Sequence, residues 1–394
     1  QMEGKACSDM KILITTDWYK PVVNGVVTSV ENLIKGLVMA GHEVRVLTLS
    51  GNIHSRKEGI VYYVGSVSAG MIYENARLKL IVPANIIRDI LEWSPDIVHS
   101  QCEFSTFGVA REIAYECGVP LIHTYHTVYE NYTHYFCFNH AMGKKMAELF
   151  SKKILSDVNA VIVPSEKIQV MLKGYGVDKT IYNIPSGINM EQYESDRSEK
   201  REKLRASLGI GSDECMLLYV GRLAKEKNVE ELFGFLAKLG TKQRMLIVGD
   251  GPYCSELEKK ADELGVRDRL IFTGMIPQEQ VPDYYAAGDI FISASNSETQ
   301  GLTYMEAMAS SLPLLCRADD CLKDVIADGE NGLLYHTEGE FIHNFEQLKN
   351  NLSYRKRIGT MARQSIRERY SIPAFAASCL RVYNKSIQSA GVCV

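Results

Sequence analysis

Nowhere in this 394-residue chain do apolar residues run uninterrupted for the ~20 positions that a membrane-spanning helix needs. Nor is there a charged segment leading into an apolar core and a small-residue cleavage site, so a cytoplasmic protein is expected. Ten cysteines are scattered from Cys7 to Cys393 without a CxxC pair or a Cys/His cluster at zinc-ligand spacing. A structural zinc and a redox motif are therefore excluded, and the thiols are read as reduced. Asp-x-Asp is absent, and with it the usual carboxylate pair that holds a divalent cation on a diphosphate. A strong net charge is missing too: the formal balance is −4, and the first 190 residues carry equal numbers of acidic and basic groups. No basic field exists to attract duplex nucleic acid, and no such partner is expected.

What is present is the balance of a globular protein, with 46% apolar and 23% charged residues. The length exceeds what one hydrophobic core usually serves, which implies two domains. Lys11 to Thr16 is a short apolar run, followed by a Pro/Asn/Gly turn, a helix-period stretch from Val27 to Ala40 and a second apolar run from Glu43 to Leu49. That is a βαβ unit, whose crossover requires a parallel sheet. The same grammar recurs at Ile97–Ser100, Leu121–Thr124 and Ala160–Pro164, with helical patterns at Ser105–Cys117 and Ala141–Leu155. A charged stretch from Glu191 to Arg205 interrupts it, and the pattern restarts at Met216–Gly221 and continues through Arg244–Val248, Arg269–Thr273, Ile290–Ser293 and Pro313–Cys316. The expectation is a pair of doubly wound α/β domains divided near residue 190. Ligands of such sheets sit outside the carboxyl ends of the strands.

The strand-end loops of the second half carry the chemistry. Gly221-Arg222-Leu223-Ala224-Lys225-Glu226-Lys227-Asn228 lies between a strand and a helix. There Arg222 can fork two phosphate oxygens while Lys227 supplies a point charge; a solvated basic loop is an equally good account of this segment alone. Gly249-Asp250-Gly251-Pro252 ends another strand and, by itself, reads as a tight connection. Met275 and Ile276, in Phe272–Pro277, offer backbone to a planar base. Ser297-Glu298-Thr299-Gln300-Gly301-Leu302-Thr303-Tyr304-Met305-Glu306 opens a helix, whose first amides form an anion site for a pyrophosphate. Glu298 can accept bonds from sugar hydroxyls and Glu306 from a ribose diol; the alternative makes them an ordinary loop and an exposed helix glutamate. In the first half, Asp17, the Asn24-Gly25 turn and His126 all leave the same sheet edge, although a lone histidine at such a spacing is more readily a satisfied surface group.

Assembled, these residues resemble the retaining glycosyltransferases of family four, with similarity from about Lys11 to the C-terminus. The resemblance implies the GT-B fold, α/β, with two doubly wound Rossmann-like domains facing across a cleft. Residues 1–190 would form the acceptor-side domain, residues 191–373 the nucleotide-sugar domain, and a helix within 374–394 would pack back on the first. Glu298 and Glu306 resemble the family's two-glutamate motif, Arg222 and Lys227 its diphosphate cations, and Gly25 its N-terminal glycine loop, with Asn24 where many members carry a second glycine. Ser311 stands where a glycine is usual.

A narrower similarity, carried by Cys102–Ser105, His123–Tyr132 and Ser297–Tyr304, is to the bacterial diacylglycerol glucosyltransferases. It implies that His126 touches the transferred sugar beside Glu298, Arg222 and Lys227. Gly25, Gly221, Asp250, Gly251, Met275, Ile276, Thr299, Gln300, Gly301, Leu302 and Glu306 would bind the donor. Asp17, Asn24, Glu103, Tyr129 and Glu130 are the acceptor-side candidates. The expected co-substrate is a UDP-sugar, with no metal and no other cofactor. The expected acceptor is a lipid such as 1,2-diacylglycerol, reached as a peripheral protein on the inner face of the plasma membrane through the basic, amphipathic segment Met142–Leu155, which reads equally well as an ordinary surface helix with its apolar stripe against the domain core. A soluble acceptor (a small hydroxy acid, an inositol phosphate or a glycan) remains an alternative, as does a binding module without turnover.

Overall fold

The computed structural model describes residues 9–70, 76–128 and 140–391, and the chain divides into two compact units. One contains the residues up to Gly187 together with those from Ile372 onward, and the other runs from Ile188 to Ser371.

The first unit is built, in chain order, from β1 (Lys11–Thr16), α1 (Gly25–Met39), β2 (Glu43–Leu49), β3 (Arg56–Glu58), β4 (Val61–Val64), β5 (Ser66–Ser68), β6 (Arg77–Lys79), α2 (Ala84–Trp93), β7 (Ile97–Ser100), α3 (Ser105–Cys117), β8 (Leu121–Thr124), α4 (His140–Leu155), β9 (Ala160–Val163), α5 (Glu166–Gly174) and β10 (Ile181–Asn183). Its main sheet has the order β10-β9-β8-β7-β1-β2-β4-β3, parallel except for the β3–β4 pair. β1, β7, β8 and β9 are buried on both faces, which is why they read as continuous apolar runs rather than alternating ones. The side-chain period of two then assigns the faces. Leu13, Val98, Leu121 and Val161 join the core beneath α2, α3 and α5. Ile12, Ile14, Ile97, Ile122 and Ile162 join the core beneath α1 and the last helix.

The second unit contains α6 (Glu191–Glu194), α7 (Ser198–Ser207), β11 (Cys215–Val220), α8 (Val229–Lys238), β12 (Gln243–Val248), α9 (Cys254–Glu263), β13 (Leu270–Phe272), α10 (Val281–Ala287), β14 (Ile290–Ser293), α11 (Leu302–Ala309), β15 (Leu314–Arg317), β16 (Leu333–Tyr335), α12 (Glu338–Asn350) and α13 (Leu352–Arg369). Its sheet is parallel throughout, in the order β13-β12-β11-β14-β15-β16. Met216, Leu218 and Val220 face one core and Leu217 and Tyr219 the other. Ser311 adopts φ 60°, left-handed backbone in which glycine is strain-free, which is the physical reason a glycine is usual there.

α14 (Ile372–Ser389) closes the chain and belongs to the first unit. It crosses α1 so closely that a side-chain carbon on Gly36 would lie 2.7 Å from the Ala376 Cβ. The apolar strands read from sequence are present: β1, β2, β7, β8 and β14 have the same bounds, and β9, β11, β12, β13 and β15 differ by one residue at one or both ends. The short strands β3, β4, β5, β6, β10 and β16 were not anticipated; of these, β3 is exposed at all three positions and so carries no apolar signature.

Candidate active site

In the second unit, parallel pairing brings the carboxyl ends of β13, β12, β11 and β14 to one edge of the sheet. Backbone bonds then tie their loops together. Gly221 N donates to Val248 O (3.0 Å), Leu223 N to Asp250 O (2.9 Å), Tyr253 N to Leu223 O (3.0 Å) and Gly249 N to Gly274 O (3.1 Å). This close approach explains the glycines of the β12 turn: a Cβ on Gly249 would overlap the Gly221 carbonyl oxygen, and one on Gly251 the Leu223 carbonyl oxygen. They pack loop against loop. Asp250, for its part, is exposed and its carboxylate accepts from Gly251 N at 2.7 Å.

On that scaffold sit the charged groups. Lys227 Nζ lies 2.6 Å from Glu298 Oε1, with both side chains about four-fifths buried. Arg222 is ion-paired with Glu226, one turn along the same loop. The Ser297 hydroxyl donates to the Glu226 carbonyl (3.1 Å), joining the β11 and β14 loops. Glu226 also has a second carboxylate oxygen, Oε2, buried without a hydrogen-bond partner. Two cations and two carboxylates are thus balanced beside the start of α11. Gly301 caps that helix at φ 77°, and a Cβ there would come within 2.7 Å of the Tyr304 ring. Leu302 and Thr303, half-buried, begin the helix, and half-buried Thr299 precedes it. Gln300 turns its side chain inward, its amide nitrogen 3.0 Å from the Met305 sulfur. Met275 is exposed and Ile276 packs partly into the core.

Glu306 is not an exposed helix glutamate. Its Oε2 accepts from the Tyr285 hydroxyl at 2.8 Å, and Tyr193 is a second partner. Burial raises its carboxyl to about 7, against the lowering effect of those hydroxyls.

In the first unit, the ends of β1, β7 and β8 lie side by side. Asp17 does not point a free carboxylate toward an acceptor. Its oxygens accept from Ser105 N (2.9 Å), Thr106 N (2.7 Å) and the Thr106 hydroxyl (2.6 Å), so it caps α3. Asn24 likewise caps α1, its side chain accepting from Val27 N at 2.9 Å, while Gly25 is the exposed first residue of the helix. Both acceptor-side candidates therefore hold the start of a helix in this structure. Glu103 is buried and lies 3.2 Å from His123 Nε2. Tyr129 and Glu130 fall outside the described residues. His126 is half-buried, with Nε2 2.8 Å from Gln101 Oε1. Burial lowers it to about 4, with Glu103 opposing that shift and His123 adding to it, so it is a neutral imidazole near pH 7. Sequence reasoning missed Gln101, His99, Tyr285 and Tyr193. Gln101, directly after a buried strand, carried a positional signal, whereas the tyrosines are remote in sequence and carried none.

A doubly wound α/β unit with an arginine–lysine loop, a paired glutamate and a glycine-started helix at one sheet edge, together with a second parallel sheet, is the architecture of a GT-B glycosyltransferase. Residues 23–192 match the family described as Glycosyltransferase Family 4, and residues 200–365 match Glycosyl transferases group 1. The chain is 35% identical over 335 residues to the alpha-monoglucosyldiacylglycerol synthase of Streptococcus pneumoniae, covering 84% of this chain and 76% of that protein. It is 32% identical over 388 residues to the enzyme of that name from Acholeplasma laidlawii, covering 95% and 96%. Among solved structures, Anabaena Alr3699/HepE in complex with UDP and glucose shares the fold, with a TM-score of 0.74, 18% identity, and 95% of this chain and 100% of that one covered. The protein belongs to the family-four GT-B glycosyltransferases, in the company of the alpha-monoglucosyldiacylglycerol synthases.

Proposed function

We propose that the enzyme transfers glucose from UDP-glucose to 1,2-diacylglycerol with retention of configuration and without a divalent metal. The names of the two relatives support the sugar and the acceptor. The observation that carries the donor chemistry is the grouping of Arg222 and Lys227 with Glu298 beside the start of α11. In this reading the diphosphate takes over the positive charge that Glu226 and Glu298 now neutralise. The two cations and the helix amides stabilise the leaving group in the role a metal fills elsewhere. Glu306 accepts from the ribose diol, Glu298 from sugar hydroxyls, and His126 touches the transferred sugar. Bond breaking at the anomeric C–O–phosphate linkage leads, the acceptor hydroxyl bonds to the same face of the anomeric carbon, and its proton passes to the departing diphosphate oxygen.

Support for a bilayer-bound acceptor comes from α4. Met142, Met146 and Leu149, at helical spacing, are exposed by 56%, 57% and 59%, while Ala147, Ser151 and Leu155 form the buried face. The apolar stripe therefore faces outward among Lys145, Lys152 and Lys153. Phe104, half exposed, stacks on Phe150, and the neighbouring Ser105 hydroxyl accepts from Lys79 N, which brings exposed Leu78, Leu80 and Ile81 beside it. Among the described residues no helix is long and apolar enough to cross a membrane.

The test is product analysis with UDP-glucose, UDP-galactose and GDP-mannose, each supplied with detergent-dispersed diacylglycerol or with soluble acceptors, in EDTA. An α-linked glucosyl lipid formed at an undiminished rate in the chelator is expected. A β-linked product, a requirement for added metal, or turnover only with a soluble acceptor would overturn the corresponding part.

A further inference from the structure

A chain of buried polar groups runs from the C-terminal helix to His126. The Tyr383 hydroxyl, on α14, is 2.6 Å from His99 Nδ1 on β7. His99 Nε2 is 2.7 Å from the Thr124 hydroxyl and 3.0 Å from the Gln101 amide nitrogen. The Gln101 amide oxygen is 2.8 Å from His126 Nε2. Tyr383 and His99 are fully buried and Gln101 is 2% exposed, so these groups have each other rather than water as partners.

An amide has one donating and one accepting end, and a neutral imidazole has one of each. With its nitrogen toward His99, Gln101 requires a lone pair on His99 Nε2, which puts the His99 proton on Nδ1, donated to Tyr383. Its oxygen requires a proton on His126 Nε2, which leaves His126 Nδ1 as an acceptor. Reversing any one link reverses all the others.

We propose that Tyr383, by accepting the His99 Nδ1 proton, permits the His126 tautomer that carries its proton on Nε2, so that α14 is a positioning element for the histidine that presents an acceptor nitrogen to a sugar hydroxyl. The catalytic consequence rests on the proposed contact of His126 with the sugar; the tautomer itself does not. Phenylalanine at position 383 removes the acceptor for the His99 Nδ1 proton. The proton then moves to Nε2, where Thr124 accepts it. Gln101 turns over to present its oxygen to His99, and its NH₂ group meets His126, whose proton shifts to Nδ1.

The full-length enzyme, labelled with ¹⁵N-histidine, tests this. The His126 ring signals are assigned by their loss in His126→Gln. The Nε2–H form is expected in the parent and the Nδ1–H form in Tyr383→Phe. In a Gln101→Met background, which keeps the volume and removes both amide ends, adding Tyr383→Phe should leave His126 unchanged. The same His126 tautomer in parent and Tyr383→Phe, or a response that persists in Gln101→Met, overturns the proposal. Kinetics separate the underlying reading: Tyr383→Phe should lower kcat about three- to tenfold with the donor KM unchanged, the size of one hydrogen bond. If His126→Ala retains full kcat while the tautomer still switches, the sugar contact fails and the relay stands.

Discussion

At the scale of single residues, the second unit carries a self-neutralised site, with Arg222 against Glu226 and Lys227 against Glu298. In the proposed function a diphosphate displaces those carboxylates as partners, and the cations act on charge that grows as the glycosidic bond breaks. Arg222→Ala is therefore expected to lower kcat/KM by about 10²–10³, the usual size for losing one donor to a developing anion. Steady-state kinetics with saturating acceptor checks it.

Glu306 predicts a pH effect of definite sign. Its carboxyl is raised by burial from the usual 4.5 to about 7. Between those values the folded chain holds a proton that the unfolded chain has released, so this group's contribution to stability falls as pH rises through the window and is level above it. Binding a ribose diol favours the ionised acceptor. The donor KM is accordingly expected to fall as pH rises through about 7, and Glu306→Gln to flatten that dependence; a wild-type pH profile in the variant would count against the ribose role.

At the scale of elements, α4 has an inner face of Ala147, Ser151 and Leu155 and an outer face of methionine and leucine among lysines. Near an anionic surface each lysine contributes ~1 kcal/mol. The triple change Leu149→Asp, Lys152→Glu and Lys153→Glu should lower co-sedimentation with phosphatidylglycerol vesicles at least about tenfold. The rate on detergent-dispersed acceptor should be unaffected. A coordinate loss in both assays would assign α4 to folding instead. Helix starts show how an element's needs can resemble a binding site. Asp17 and Asn24 leave a sheet edge where acceptor groups were expected from sequence, and both are engaged by the orphan amides of α3 and α1.

At the scale of the whole molecule, the first unit is completed by the end of the chain. Phe375, Ala376, Cys379, Val382, Tyr383 and Ile387 of α14 share one core with Ile12, Ile14, Val30 and Leu37. A chain ending at Ser371 opens that core to water. Such a truncation is expected to lose the melting transition of the first unit while keeping that of residues 188–371, read by calorimetry together with limited proteolysis.

Much of this was written locally in the chain. The apolar runs of β1, β7, β8, β11, β12 and β14, and the glycine, arginine and glutamate spacing at their ends, sufficed for two doubly wound sheets and for the family, because strand burial and the strand-loop-helix turn depend on neighbours in sequence. The short strands β3, β4, β5, β6, β10 and β16 were not legible: they are three or four residues long, and β3 is wholly polar and exposed. Sequence placed Glu306 a turn into a helix but could not show that Tyr285 and Tyr193 enclose it. It put His126 at a strand end without revealing Gln101, His99 and Tyr383 behind it, the last 284 positions from its partner. The amino-acid pattern by itself determined the architecture and the types of group at each strand end. Only the tertiary structure decided which of those groups are committed to helix caps, which are paired with opposite charge and which are buried enough to titrate far from their ordinary values. Those properties depend on distances across the sheet, and no local pattern carries them.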